Sequence, residues 1–229
     1  MTMPRPQQPP GLRESAPPPR RNRVRRRRWA RRKVLAIVAA GVVLLSGLVF
    51  AVIRIGPSNG FPRSEYRLTE PRTLVNGEYQ RVDGLGWMVD EGFRLSPDSN
   101  FRDPHGAGGQ YTATDGKSLT VTGGWGQIRD PDKARGSMLR GPATADGTTI
   151  AVPAEDMTPA GAPVKIICQV LVTTDGDTRA PSPMCVWADG NTKVSVELTL
   201  PGLHKPEAID LAELAQLTLD IRAEIRRPM

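Results

Sequence analysis

The side chains with the richest chemistry in this chain are few. Cys168 and Cys185 are the only cysteines, and His105 and His204 the only histidines. Two thiols can form a disulfide, ligate a metal, or supply a nucleophile if a base stands beside them. A structural zinc site takes four ligands, and two cysteines with two loop histidines supply them poorly. No metal and no cofactor is therefore expected. The cysteines fall in adjacent β-prone runs, and the segment between them can fold back as a hairpin. Closing a loop of this size is worth about 3 kcal/mol in the chain-entropy model. A disulfide is the preferred reading, provided that the domain lies in an oxidising compartment.

Other chemistry is harder to assemble. The chain has no Gly-x-Ser-x-Gly, His-Glu-x-x-His or Cys-x-x-Cys. Gly116-Lys117-Ser118 resembles the end of a phosphate loop, but Tyr111 stands where the first glycine belongs. Gly106-Ala107-Gly108-Gly109 lacks the spacing of a dinucleotide fingerprint, and Asp175-Gly176-Asp177 is too short for a calcium loop. His105, beside Asp103 and Gly106, is a candidate base, yet a lone loop histidine is usually solvated. Trp125 stands among three glycines and Trp187 follows Cys185 closely. Both are candidate ligand-stacking or packing aromatics, and glycines beside an indole more often mark close backbone approach around a buried ring. No nucleophile, base and orienting group converge, so no enzyme is expected; a hydrolase is the third-ranked reading.

Val34 to Ile53 is twenty residues without a charge. At about 1.5 Å per residue such a helix spans roughly 30 Å, a bilayer's hydrocarbon core. Arg32-Lys33 and Arg54 flank it. It is too long, and too far from the start, for a cleaved signal peptide, so an uncleaved signal anchor is expected. Gly47/Ala51 and Ala36/Ala40 form small-xxx-small pairs, a weak pointer to helix pairing.

The net charge of +7 divides unevenly. Residues 1–33 hold twelve Arg or Lys against Glu14 alone, a net of +11, while residues 34–229 hold nineteen against twenty-three acids, a net of −4. The tail's prolines and lack of large apolar residues predict disorder. Its Pro6-Gln-Gln-Pro9 fits a PxxP pattern, but a solvated tail accounts for it more simply. Next to the span lies a patch of Arg20, Arg21, Arg23, Arg25, Arg26, Arg27, Arg28, Arg31, Arg32 and Lys33, with Trp29 as a headgroup anchor. By the positive-inside rule this end stays cytoplasmic, against anionic lipid headgroups, and the mildly acidic remainder is not built to bind nucleic acid.

These features divide the chain into a disordered basic and Pro-rich tail (1–33), a transmembrane helix (34–55), a linker (56–72) and an extracytoplasmic α+β domain (73–229). In the domain, strands are predicted at Tyr79–Asp83, Gln110–Thr114, Lys117–Thr122, Thr148–Val152, Val164–Thr173, Met184–Asp189 and Thr192–Leu200. Asp115-Gly116 and Asp189-Gly190 read as two-residue hairpin turns. Gly84–Pro104 is rich in turn formers. Asp130-Pro131 starts a short helix that stops at Gly141-Pro142. Pro206–Arg227 is a terminal helix whose Leu211, Leu214, Leu217, Ile221 and Ile225 form one stripe. The expected fold is a mostly antiparallel sheet with this helix packed on it.

Pro71-Arg-Thr-Leu74-Val-Asn-Gly77-Glu-Tyr79, Gly123-Gly-Trp-Gly126-Gln-Ile128-Arg-Asp130-Pro131, Cys168-Gln169, Cys185-Val-Trp187-Ala-Asp189 and the final helix cover most of residues 70–227. In these elements the chain resembles membrane-anchored proteins of unknown function from Streptomyces and related actinobacteria. The resemblance implies a tail, one span and an extracytoplasmic domain, and no activity. More loosely, the Cys-hairpin-helix ending is similar to the extracytoplasmic sensor domains of actinobacterial receptor kinases. The expected role is a single-pass plasma-membrane module that binds or senses an envelope component or protein partner. An envelope-assembly or secretion accessory acting through span and tail is the alternative.

Overall fold

The computed structural model describes residues 60–229, except 177, 203 and 204. The tail with its basic patch, the proposed span and His204 lie outside the described residues. Among the described residues no helix is long and apolar enough to cross a membrane.

The fold is α+β, as expected, with ten strands and three α-helices among the described residues. The strands are β1 (Tyr66–Leu68), β2 (Thr73–Leu74), β3 (Tyr79–Gly84), β4 (Phe101–Ala113), β5 (Ser118–Ile128), β6 (Thr148–Asp156), β7 (Ile166–Asp175), β8 (Thr178–Ala188), β9 (Thr192–Thr199) and β10 (Arg226–Pro228). The helices are α1 (Gly86–Leu95), α2 (Pro131–Ala143) and α3 (Leu211–Ile225). Eight strands form one antiparallel sheet in the order β2-β3-β4-β5-β9-β8-β7-β6. The chain meanders from one edge to the middle, crosses through α2 to the far edge at β6, and meanders back until β9 pairs with β5. β6 is protected as an edge by Pro153 and by irregularities in its pairing with β7.

Strand alternation gives the sheet two differently used faces. Leu119, Val121, Cys168, Val170, Cys185, Trp187, Val194 and Val196 face α3, whose buried stripe is Leu211, Leu214, Ala215, Thr218, Ile221 and Ile225. Leu171, Met184 and Val186 point the other way, toward Leu139 of α2. Asp130 caps α2 by accepting from Lys133 N at 3.0 Å. That helix runs through Pro142 to Ala143, beyond the expected stop. The terminal helix begins later than expected, at Leu211, where Asp210 accepts from Ala212 N and Glu213 N.

Cys168 and Cys185 lie directly opposite each other on β7 and β8, joined as a disulfide in the main core with no exposed surface. Their Cα separation of 4.0 Å belongs to the narrow, non-hydrogen-bonded type of antiparallel pair. No described cysteine is free.

Other expectations change, among them the start of β4, which is Phe101 and not Gln110. The segment 84–104, rich in turn formers, contains α1. The β4–β5 connection is a three-residue loop: Ala113 N bonds Lys117 O, and Gly116 takes φ +84°, the left-handed residue of a bulged turn. The β8–β9 turn is Gly190-Asn191, since Asp189 N bonds Thr192 O, so Cys185 faces Val196 and not Val194. This shift by two residues keeps every side chain on its expected face.

The stretch expected as linker is packed from Phe61 onward. Phe61 is 6% exposed, its ring between the guanidinium groups of Arg102 and Arg129 at 4.2 and 4.3 Å. β1 pairs with β10, and Leu68 joins the main core. Breaker residues suggested a linker because Phe61 and Leu68 are isolated apolar residues without periodicity.

Candidate functional site

Helices α1 and α2 lie on the sheet face opposite α3 and leave an open groove of about 380 Å³ between them. Met88, Val89 and Phe93 of α1 form one wall, and Ser137 and Met138 of α2 the other. Thr122, Gly123 and Lys193 of β5 and β9 form the floor.

Glycines in two strands allow α1 to sit where it does. A Cβ on Gly106 would fall 2.6 Å from Gly86 O, 2.9 Å from Val89 C, and closer still to Asp90 N. All three are helix backbone atoms, so no side chain can move aside. On Gly124 a Cβ would meet the Phe93 ring at 2.6 Å from Cζ. Polar ties fix the placement. Leu85 N donates to Gly108 O at 2.8 Å, and the Asp90 carboxylate accepts from Gly106 N. Gly106 is thus explained by a helix resting on a strand, and Gly108 by the close approach of Val121 O and the Leu85 side chain, so no phosphate-binding role is needed.

α2 is held from below by three side chains. Arg135 Nη1 donates to Ala188 O at 2.7 Å, and Gln169 Nε2 to Leu139 O at 2.9 Å. Buried Asn100 exchanges two 2.9 Å bonds with the backbone of Asp130. The walls are therefore anchored separately to the sheet, and the groove is the gap between them.

Lys193 is the unusual residue of the floor. It is 7% exposed, and its Nζ lies 4.5 Å from the Phe101 ring centroid and 5.2 Å from that of Phe93. Its neighbours across the ladder, Gly124 and Ala188, are small enough to leave room for its stem. Burial holds its pKa below the ordinary lysine value, with the Asp98 charge acting weakly the other way. Among the described residues no carboxylate lies within ion-pair distance of it. Beside it the hydroxyls of Thr122 and Ser195 are 3.4 Å apart, and Ser195 is two residues along the same strand face. The site thus offers one largely buried lysine, a few hydroxyls and flexible thioether walls. Elsewhere on α1 two apolar side chains are exposed: Trp87 at 74% and Leu95 at 73%.

The residues expected to matter fall elsewhere. Trp187 is 0% exposed on the α3 side, its indole donating to Thr192 Oγ1 at 3.3 Å, so it cannot touch a ligand. Trp125 packs at the edge of the main core and stacks on the exposed His105 with centroids 4.1 Å apart. His105 has no carboxylate partner among the described hydrogen bonds and faces away from the groove, on the side of Trp125. Lys117 pairs with Asp115 in the hairpin at 2.9 Å. Among the described residues, no three His, Cys, Asp or Glu side chains cluster to hold a metal.

Lys193, Met88, Phe93 and Met138 were not foreseen as site residues. Alternation on β9 reads Lys193, Ser195 and Glu197 as a solvent-facing set, because α1 above them was not recognised. The available signal was the pair Gly106 and Gly108 in a strand, a mark of another backbone approaching closely.

Gly106→Val should displace α1, at a cost of about 1–3 kcal/mol for overpacking. Hydrogen exchange should show protection lost over residues 86–95 while β7 to β9 keep theirs. Uniform loss across the sheet would mean that α1 is not a separately docked wall. No protein-family model, no curated protein and no solved structure matches this chain.

Proposed function

We propose that residues 60–229 form a non-enzymatic binding module, tethered by the Val34–Ile53 span with its basic tail in the cytoplasm and the module outside. The observation that carries the binding part is the α1–α2 groove, whose volume falls in the range of small-molecule sites and whose lining is mostly apolar with a few polar groups. The tether rests on the uncharged run and its flanking arginines. A buried disulfide suits an oxidising compartment.

Two measurements on the full chain test this reading. A phosphatase reporter that works only outside the cytoplasm, fused after Met229, should be active; a fusion that is made at full length but inactive overturns the tether. Native mass spectrometry of the purified protein should find a bound small molecule that Ser137→Trp, which fills the groove from its rim, has lost. Identical spectra for the two proteins would overturn the binding role and favour an accessory acting through span and tail.

A further inference from the structure

We propose that the α1–α2 groove takes an amphiphilic monocarboxylate, its apolar body between Met88, Val89, Phe93 and Met138 and its head on the Lys193 ammonium. This deepens the binding role proposed above and rests on it.

Lys193 is 7% exposed and lines the open groove, and a cation so largely removed from water costs free energy unless it gains a partner. The Phe93 and Phe101 rings offset part of that cost through their π faces, but a ring accepts no full hydrogen bond and three N–H donors need acceptors. Among the described residues none of the hydrogen bonds or ion pairs involves Nζ, and Lys193 lines the groove. Its open coordination therefore faces the space where a ligand would lie.

The charge sets the head group. One ammonium matches one negative charge. The nearby arginines are committed elsewhere: Arg102 and Arg129 to Phe61, and Arg135 to Ala188 O and Asp132. A dianionic phosphate would leave a second charge without a cation, whereas a carboxylate balances Lys193 and has spare lone pairs for the Thr122 hydroxyl, the Ser137 hydroxyl being donated to Ala134 O. The walls set the body. Two methionines, a valine and a phenylalanine offer no donors and only weak thioether acceptors, and thioether side chains adapt to flexible chains. The glycines beneath α1 bring Phe93 down onto the sheet next to Lys193, so the apolar wall and the cation meet at one point.

The test uses the full chain in lipid nanodiscs, titrated calorimetrically with octanoate and with the neutral isostere octanamide, empty nanodiscs being subtracted. Octanoate should bind at least tenfold more tightly than octanamide. Lys193→Met, which keeps the stem length, should lose that preference and bind both alike; Lys193→Arg should keep it. Ser137→Trp should abolish binding of both. Equal affinities on the wild type, or an unchanged octanoate preference in Lys193→Met, overturn the carboxylate head group while leaving the groove as a binding site. Binding unaffected by Ser137→Trp, or no binding of either probe at millimolar concentration, overturns the groove itself. Circular dichroism and the non-reducing mass of the disulfide-bonded chain show whether each variant has folded.

Discussion

Replacing Asp189 by alanine should destabilise the domain by about 3–5 kcal/mol in urea unfolding, the range for removing one partner of a buried charge pair. The reason is how much one carboxylate holds. Its Oδ1 accepts from Asn191 N at 2.9 Å and Thr192 N at 2.8 Å, fixing the β8–β9 turn. Its Oδ2 takes Arg222 Nη2 of α3 at 2.9 Å, and Arg226 Nε of β10 sits 3.0 Å away as a charge contact. Arg226 also lies over the Tyr66 ring of β1. The β8–β9 turn, the final helix and the β1–β10 pairing therefore meet on Asp189. Alanine leaves two largely buried guanidinium groups without their anion, and the Nε atoms of both already lack a hydrogen-bond acceptor.

The pH dependence has a definite sign. Burial raises the Asp189 pKa, but the backbone N–H groups of Asn191 and Thr192 and the charges of Arg222 and Arg226 outweigh it, so the folded value is lowered. A depressed carboxylate pKa contributes stability that is fully present above the unfolded value, about 3.9, and is lost as pH falls through the folded one. Asp189→Asn keeps the turn acceptor and removes the charge. Its deficit against wild type should be constant near neutrality and close progressively below about pH 4. A deficit that does not narrow in acid would mean that the carboxylate acts through the turn and not through its charge.

Asp189 also shows where sequence reading succeeds and where it stops. An Asp-Gly dipeptide between β-prone runs located the hairpin correctly. It could not fix the register, because the Asp189 carboxylate caps the two amides that follow and so occupies the first position of the turn, not its centre. The period of two protected the face assignments from that error. The α3 stripe was legible because Leu211, Leu214, Ile221 and Ile225 recur at helical spacing over four turns. The α1 stripe, Leu85, Val89 and Phe93, has the same spacing, but only ten helical residues, two of them glycines, lie among turn formers. With α1 unread, nothing in the sequence marks the sheet surface beneath it as covered or Lys193 as largely buried. The groove escaped for this reason: it exists only between two helices, and alternation along a strand reports which face a residue is on, not what covers that face.

The two faces make opposite demands, and Trp187 separates them. Trp187→Ala should cost about 3–5 kcal/mol, as for other buried large-to-small changes, because its ring has no exposed surface and the space it leaves is enclosed by β7, β9 and α3. Trp187→Phe loses less volume and the bond to Thr192 Oγ1, and should fall well short of that loss. Trp125→Ala, at a half-buried position stacked on exposed His105, should cost less than either Asp189→Ala or Trp187→Ala. Trp187 sits on the α3 side of β8, whereas Lys193 projects from the opposite face of the adjacent strand β9. A folded Trp187→Phe protein should therefore bind octanoate with the affinity of wild type, despite its lower stability. If affinity fell in step with stability, the sheet would be transmitting packing changes from one face to the other. The α3 face could then no longer be treated as scaffold alone.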